Sequence, residues 1–144
     1  PSPLAPWQAT QAGTPLNFFR NDTGEKLPSA HPVCKLMGEV NPFDTAVSLW
    51  IKTLNFLELT GNAYWYVPAN RLGVPAEIWL LPSQHMRVIP DRQRFIGGYL
   101  FRQCGVEERF SADEIIHLKY PSPESAYYGQ GNARGFERGG AARL

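Results

Sequence analysis

The sequence is poor in cysteine, nearly balanced in charge and without any long apolar run. Its two cysteines, Cys34 and Cys104, lie far apart in dissimilar surroundings. A small disulfide-stapled domain needs more than that, so two reduced thiols are expected rather than a bridge framework. Neither cysteine has a second ligand at the short spacing of a zinc site. Lys and Arg number 14 against 13 Asp and Glu, for a net charge of +1. That excludes a polyanion-coating protein and an acidic mimic, but leaves room for a local basic strip. No stretch approaches the roughly 20 apolar residues that span a bilayer. The Pro-rich start lacks an apolar export segment, so neither a membrane span nor a signal peptide is expected.

What remains is a chain of 144 residues, 43% hydrophobic, which suits one domain with a true core. Residues 1–34 read as an extended or flexible arm, because Pro1, Pro3, Pro6 and Pro15 remove donors and hold the backbone away from helix. Leu16 to Arg20 suits a short strand, Asn21 to Gly24 a turn, and Val33 to Met37 a single helical turn stopped near Gly38. Residues 35–120 carry the regular patterns and form the expected α+β domain. Residues 121–144 are broken by Pro121 and Pro123, then become rich in Gly and Arg, and read as a linker.

The strongest local signal begins at Asn41, a capping residue followed by Pro42 at a position where a missing donor is harmless. Asp44 would meet the positive end of the helix. Phe43, Val47, Trp50, Ile51, Leu54 and Leu57 recur mostly at steps of three and four, and Leu49 and Phe56 widen the face. Gly61 suits the left-handed position that ends a helix. The pattern predicts a helix over about 43–59, too apolar to stand alone in water.

From Asn62 the period changes to that of strands. Residues 63–67, 76–81, 86–89, 98–103, 106–110 and 115–119 each suit a short strand, with residues 95 and 96 extending the fourth backwards. Cys104-Gly105 sits at a tight reversal. Ser111 and Glu114 have capping-box spacing, which predicts one helical turn. Short strands, tight turns and one long helix predict an α+β fold in which the main amphipathic helix packs on a mostly antiparallel sheet. Repeated βαβ crossovers have no room.

Chemistry is hard to find. His31, His85 and His117 show no metal-ligand spacing. His117, set between Ile116 and Leu118 in a strand, points away from both and suits a hydrogen-bonded structural role. Glu107 and Glu108 face opposite sides of a strand and cannot share a proton or a metal. Asp113 and Glu114 suit a turn, Ser111 has no nucleophile-elbow context, and Gly129-x-Gly131 is not a dinucleotide fingerprint. No catalytic, cofactor-binding or metal-ligating residue is nominated, and no cofactor is expected. A nucleic-acid reading has slightly more material. Arg87, Arg92 and Arg94 cluster around a turn, Arg102 follows, and Tyr64, Trp65, Tyr66 and Tyr99 could stack bases on a sheet. Glu77, Glu107 and Glu108 dilute that field. The aromatics are more simply core or interface residues, with Trp7, Trp50, Trp65 and Trp79 the candidate contacts to neighbouring subunits.

Several of these segments, taken in order, look familiar. Leu57-Glu58-Leu59-Thr60-Gly61-Asn62-Ala63-Tyr64-Trp65 resembles the helix followed by Gly-Asn-Ala-Tyr of tailed-bacteriophage portal proteins of the HK97-like type. Asn41-Pro42, Trp79-Leu80-Leu81-Pro82, Met86-Arg87-Val88 and Gly98-Tyr99 with Arg102 are similar to further steps of that family, and so is Ser111 to Leu118, with its acid-Glu-Ile-Ile-His order. The resemblance covers about residues 35–135. Two features depart from it: the Ser-Pro step that commonly follows the glycine near Gly129 is absent, and the chain is far shorter than a full portal subunit.

The resemblance implies the N-terminal, wing-like portion of a portal, with no enzymatic activity. Portals form a ring of twelve subunits at one capsid vertex, through which double-stranded DNA is packaged and ejected without sequence-specific binding. The implied partners are further copies of the chain, the terminase large subunit, the major capsid or scaffold protein, and head-completion or adaptor proteins. The implied location is the virion, with the host cytoplasm during assembly and no membrane. The alternative is a small nucleic-acid-binding β-rich module without catalytic activity. An enzyme would need His85 or His117 to converge with acids in a cleft.

Overall fold

The computed structural model describes residues 6–132. In chain order the elements are α1 (Pro6–Ala12), α2 (Pro32–Gly38), α3 (Ala46–Thr60), β1 (Asn62–Tyr66), β2 (Trp79–Leu81), β3 (Met86–Asp91), β4 (Phe95–Gln103), β5 (Val106–Ser111) and β6 (Ile115–Lys119). A single 3-10 turn over Ser83–His85 joins β2 to β3. The architecture is α+β, as expected, with every strand pairing antiparallel. The strands divide between two three-stranded sheets, ordered β2-β1-β6 and β3-β4-β5.

Residue alternation in β1 explains the layering. Ala63 and Trp65 point to one side, and Tyr64 and Tyr66 to the other. Trp65 packs with Val40, Leu49 and Ile78 beneath α3. Tyr64 packs with Met86, Val88, Tyr99, Phe110 and Ile115 between the two sheets. β1 is thus buried on both faces, between α3 and the second sheet. An alternating strand with one wet face would not show this continuous run of large side chains.

The main helix is where expected but starts later. Thr45 Oγ1 accepts from the Ser48 amide at 3.1 Å and caps the first turn. Asn41 instead closes a side-chain turn ahead of the helix: its Oδ1 accepts from the Phe43 and Asp44 amides, while its Nδ2 donates to the Ile78 carbonyl at 2.8 Å. Phe43 therefore lies outside the helix and is 84% exposed. The buried stripe is Leu49, Thr53 and Leu57, at steps of four, and Val47 faces out. Gly61 ends the helix at φ 77°, as its left-handed position requires.

Four other expectations are corrected. Where the prolines predict an extended arm, Pro6–Ala12 form a helix that packs on α3. The helical turn expected over Val33 to Met37 is present as α2, Pro32–Gly38, which crosses the expected boundary at 34/35. Pro stands first in each, where it costs no hydrogen bond. Leu16 to Arg20 is no strand and makes only one bridge, Phe19 to Lys26. The stretch from Ala76 shortens to Trp79–Leu81, because the Ala76 and Ile78 amides donate to Pro68 and Val40 instead of a strand ladder. Ser111 to Glu114 keeps only half of a capping box, with Glu114 Oε2 accepting from the Ser111 amide. The Ser111 hydroxyl donates to the same carboxylate, the Glu114 amide donates to the Ser111 carbonyl, and the segment is a turn between β5 and β6.

Candidate functional site

The three histidines stay apart in role. His31 Nδ1 accepts from the Val33 amide at the start of α2, and His85 sits edge-on to Phe101. His117 is held between two tyrosines, stacked on Tyr64 at 4.3 Å between ring centroids and edge-on to Tyr99 at 5.8 Å. Burial, helped by the charge of Lys119, lowers its pKa to about 4. The same burial pushes the phenols of Tyr64 and Tyr99 upward. Among the described residues no group of three His, Cys, Asp or Glu could hold a metal ion. Cys34 and Cys104 are free thiols.

The densest polar centre is Asn62, at the joint between α3 and β1. Its Nδ2 donates to the Thr60 and Gly129 carbonyls at 2.9 and 3.2 Å. Its Oδ1 accepts from the Gly129 amide at 2.7 Å and faces His117 Nε2 at 3.0 Å. With the amide nitrogen committed to two carbonyls, Oδ1 is an acceptor, so the neutral His117 carries its proton on Nε2. The Asn62 carbonyl in turn accepts from Ser83 Oγ at 2.6 Å. The fourfold satisfaction of a 7% exposed amide gives a physical reason for Asn in the Gly61-Asn62-Ala63-Tyr64 segment. Ala63 and Tyr64 beside it are almost wholly buried.

The arginines divide into two groups. The register pairs Arg87 with Leu100 and Leu100 with Arg109, so these three form a row across the outer face of the second sheet. Arg102 shares that face, and its guanidinium bonds to Glu107 at 2.8 Å. Arg92 and Arg94 belong to the β3–β4 turn, at the far end of the same strands. There Asp91 accepts from the Gln93 and Arg94 amides, which hold its carboxyl below the usual range. Arg92 lines a shallow cleft of about 550 Å³ with Gln93, Phe95 and Tyr127. Arg87, Arg92, Arg94 and Arg102 therefore do not form one patch. Arg109 was legible as their neighbour, because the tight Cys104-Gly105 reversal fixes which residues face each other.

The tryptophans also differ in role. Trp65 is buried, donates from Nε1 to Thr53 Oγ1, and meets Trp50 edge-on at 5.0 Å, so it is a core residue and not a contact offered to a neighbour. Trp50 is half-buried against the same cluster. Trp79 donates to Glu77 Oε2 at 2.7 Å and lies beside the exposed Phe43 ring. Trp7, on α1, is 42% exposed. Of the stacking aromatics expected for nucleic acid, Tyr64 and Tyr99 are buried between the sheets, Trp65 is buried beneath α3, and Tyr66 is part-buried against Phe110.

A family model described as phage portal protein matches residues 8–137 of this chain. The chain belongs to that family. Solved structures agree. The chain is similar to a subunit in the neck of an empty gene transfer agent particle, computed with C6 symmetry, at 26% identity and a TM-score of 0.74, over 85% of this chain and 32% of the other. Similarity to a chain in the virion of the native gene transfer agent particle is 25% identity with a TM-score of 0.70, over 85% and 31% of the two chains. The neck of the native particle, computed with C12 symmetry, gives 23% and 0.74, over 89% and 33%, which shows the fold. Among curated proteins none matches. The chain spans about a third of the length of the structures it matches. Portal membership makes this a structural sequence, not that of an enzyme.

Proposed function

We propose that this chain supplies the outer, wing-like part of a portal subunit, with residues 35–120 and the helix α1 packed on them as its body and 121–132 leading toward the stem; the rest of the expected linker, 133–144, lies outside the described residues. The observation that carries the reading is the family match over residues 8–137. In this reading subunits repeat head to tail and close into a ring of twelve at one capsid vertex of a virion. Double-stranded DNA passes through the ring, which docks the terminase large subunit, the capsid or scaffold protein, and head-completion or adaptor proteins as a head-tail connector. Trp7, and the exposed Phe43 with the part-buried Trp79 beside it, are aromatic surfaces open to a neighbouring copy.

Light scattering over a range of concentrations, paired with negative-stain imaging, tests assembly of the chain itself. The same imaging tests a chimera in which it replaces the matched third of a gene transfer agent neck chain. Rings from the chimera are expected. Folded chimeric subunits that never close a ring, together with a chain that stays monomeric, would overturn the reading.

A further inference from the structure

Gly129-x-Gly131 is unexplained by any ligand, and the structure shows what it does instead. After Tyr120 the chain returns across the molecule without forming a strand. The Tyr120 amide donates to the Gly61 carbonyl, and its hydroxyl donates to Glu58 Oε1 at 2.7 Å. The Ala126 carbonyl accepts from Lys119 Nζ, and Tyr127 stacks on Phe95 at 4.5 Å. Tyr128 Oη accepts from the Val88 amide, which ties the segment to β3. Gly129 closes on Asn62 through both of its backbone polar groups. The Asn132 amide and side chain donate to the carbonyl and carboxylate of Glu58. One strap thus reaches α3, β1, β3, β4 and β6.

The glycines let its backbone touch another backbone. A Cβ on Gly129 would collide with the Gly61 carbonyl, one on Gly131 would lie 2.5 Å from the Leu59 carbonyl, and one on Gly61 would strike the backbone of Gln130. Such contact is all or nothing. A side chain could repack around a partial opening, but two touching backbones either meet or part.

We propose that residues 126–132 are a clasp that opens and closes as one unit, with Asn62 as its keystone and both sheets intact in either state. Closed, it holds Asn132 against α3 and couples that point to both sheets. Open, that coupling is lost at the cost of a few hydrogen bonds and the packing of two tyrosines. The sheets keep their own ladders, because no strap residue takes part in one.

Native-state hydrogen exchange on the full chain tests this, and needs no ring. In Gly129→Ala the amides of Val88, Gly129 and Asn132 should exchange faster together, by about tenfold or more, as expected when the bonds of one local unit are lost. The ladder amides of β1 and β6 should keep their rates. Unchanged strap amides, or ladder amides rising in parallel, would overturn the clasp. If Gly129→Ala does not fold, Tyr128→Phe decides. It removes only the acceptor of the Val88 amide, so a joint rise at Val88, Gly129 and Asn132 supports one unit. A rise at Val88 alone, or none, refutes it.

Discussion

Trp65 and Thr53 meet in the core through a 2.8 Å bond from the indole Nε1 to the threonine Oγ1. Thr53 is fully buried in the middle of α3, and its own hydroxyl donates to the Leu49 carbonyl at 2.7 Å. That single oxygen lets the only buried polar residue of the helix sit in an apolar stripe and pins α3 to β1. Thr53→Val keeps the shape and strands the indole N–H. It should cost about 1–3 kcal/mol, the penalty for an unpaired buried donor. Thr53→Ser keeps the oxygen and should lose less. Chemical denaturation of the two variants checks the order, and equal losses would show that packing, not the bond, matters here.

His117 gives a pH dependence with a definite sign. Its folded pKa of about 4 lies below the ordinary 6.5, because burial between Tyr64 and Tyr99 disfavours the charged ring and Lys119 adds to that. Between those values the unfolded chain holds a proton that the folded chain does not. Stability from this group is therefore full above about pH 6.5, falls as the pH drops toward 4, and falls no further below that. Denaturant midpoints measured from pH 7 to pH 4 should decline, and His117→Gln should flatten the decline over this window. An NMR titration placing the ring near 6.5 would remove the argument.

Much of this fold was legible, for reasons that differ by element. The strands over 106–110 and 115–119 were plain because local preference, turn chemistry and final packing agree there. Asn41 misled because it is a good cap and also a good side-chain turn former. The choice was made by the Ile78 carbonyl, 37 residues away, which holds its amide. α1 was hidden because its stability comes from contact with α3 and not from its own composition. The division into two sheets could not be read, since every strand pairs antiparallel in either arrangement. Asn62 stood out only as the start of the strand pattern and within a resemblance, because nothing in a linear pattern announces a partner at Gly129. Arg109, by contrast, needed only the hairpin register.

Gly98 is a further test of close packing, this time inside a sheet. It lies in β4, the central strand of the second sheet, and a Cβ there would stand 2.6 Å from the Phe110 carbonyl of β5. Gly98→Ala must push the two backbones apart and should cost about 1–3 kcal/mol. Its neighbour makes the control. A Cβ on Gly97 would meet first the Asp91 side chain, at 3.2 Å near the exposed turn, which can yield more easily. Thermal melts should show Gly98→Ala well below Gly97→Ala. The reverse order would mean that the β4–β5 spacing is less fixed than the register implies.

Nucleic acid remains the reading that most needs a direct measurement, and the geometry sets the expected result. Arg87 and Arg109 share a face with Leu100 between them, Arg102 is occupied by Glu107, and Arg92 and Arg94 lie at the other end of the strands. Two open guanidinium groups in one row can neutralise few phosphates, so affinity and its salt dependence should both be small. Tyr64 and Tyr99 cannot stack on bases without opening the core between the sheets. Filter binding with single- and double-stranded DNA at two salt concentrations should give only non-specific affinity, with dissociation constants no tighter than about 10⁻⁴–10⁻⁶ M. Arg87→Ala with Arg109→Ala should weaken even that, whereas Arg92→Ala should do less. Tight binding that collapses at the higher salt would instead mean that the outer sheet face is a nucleic-acid surface, and the portal reading of this chain would then have to account for it.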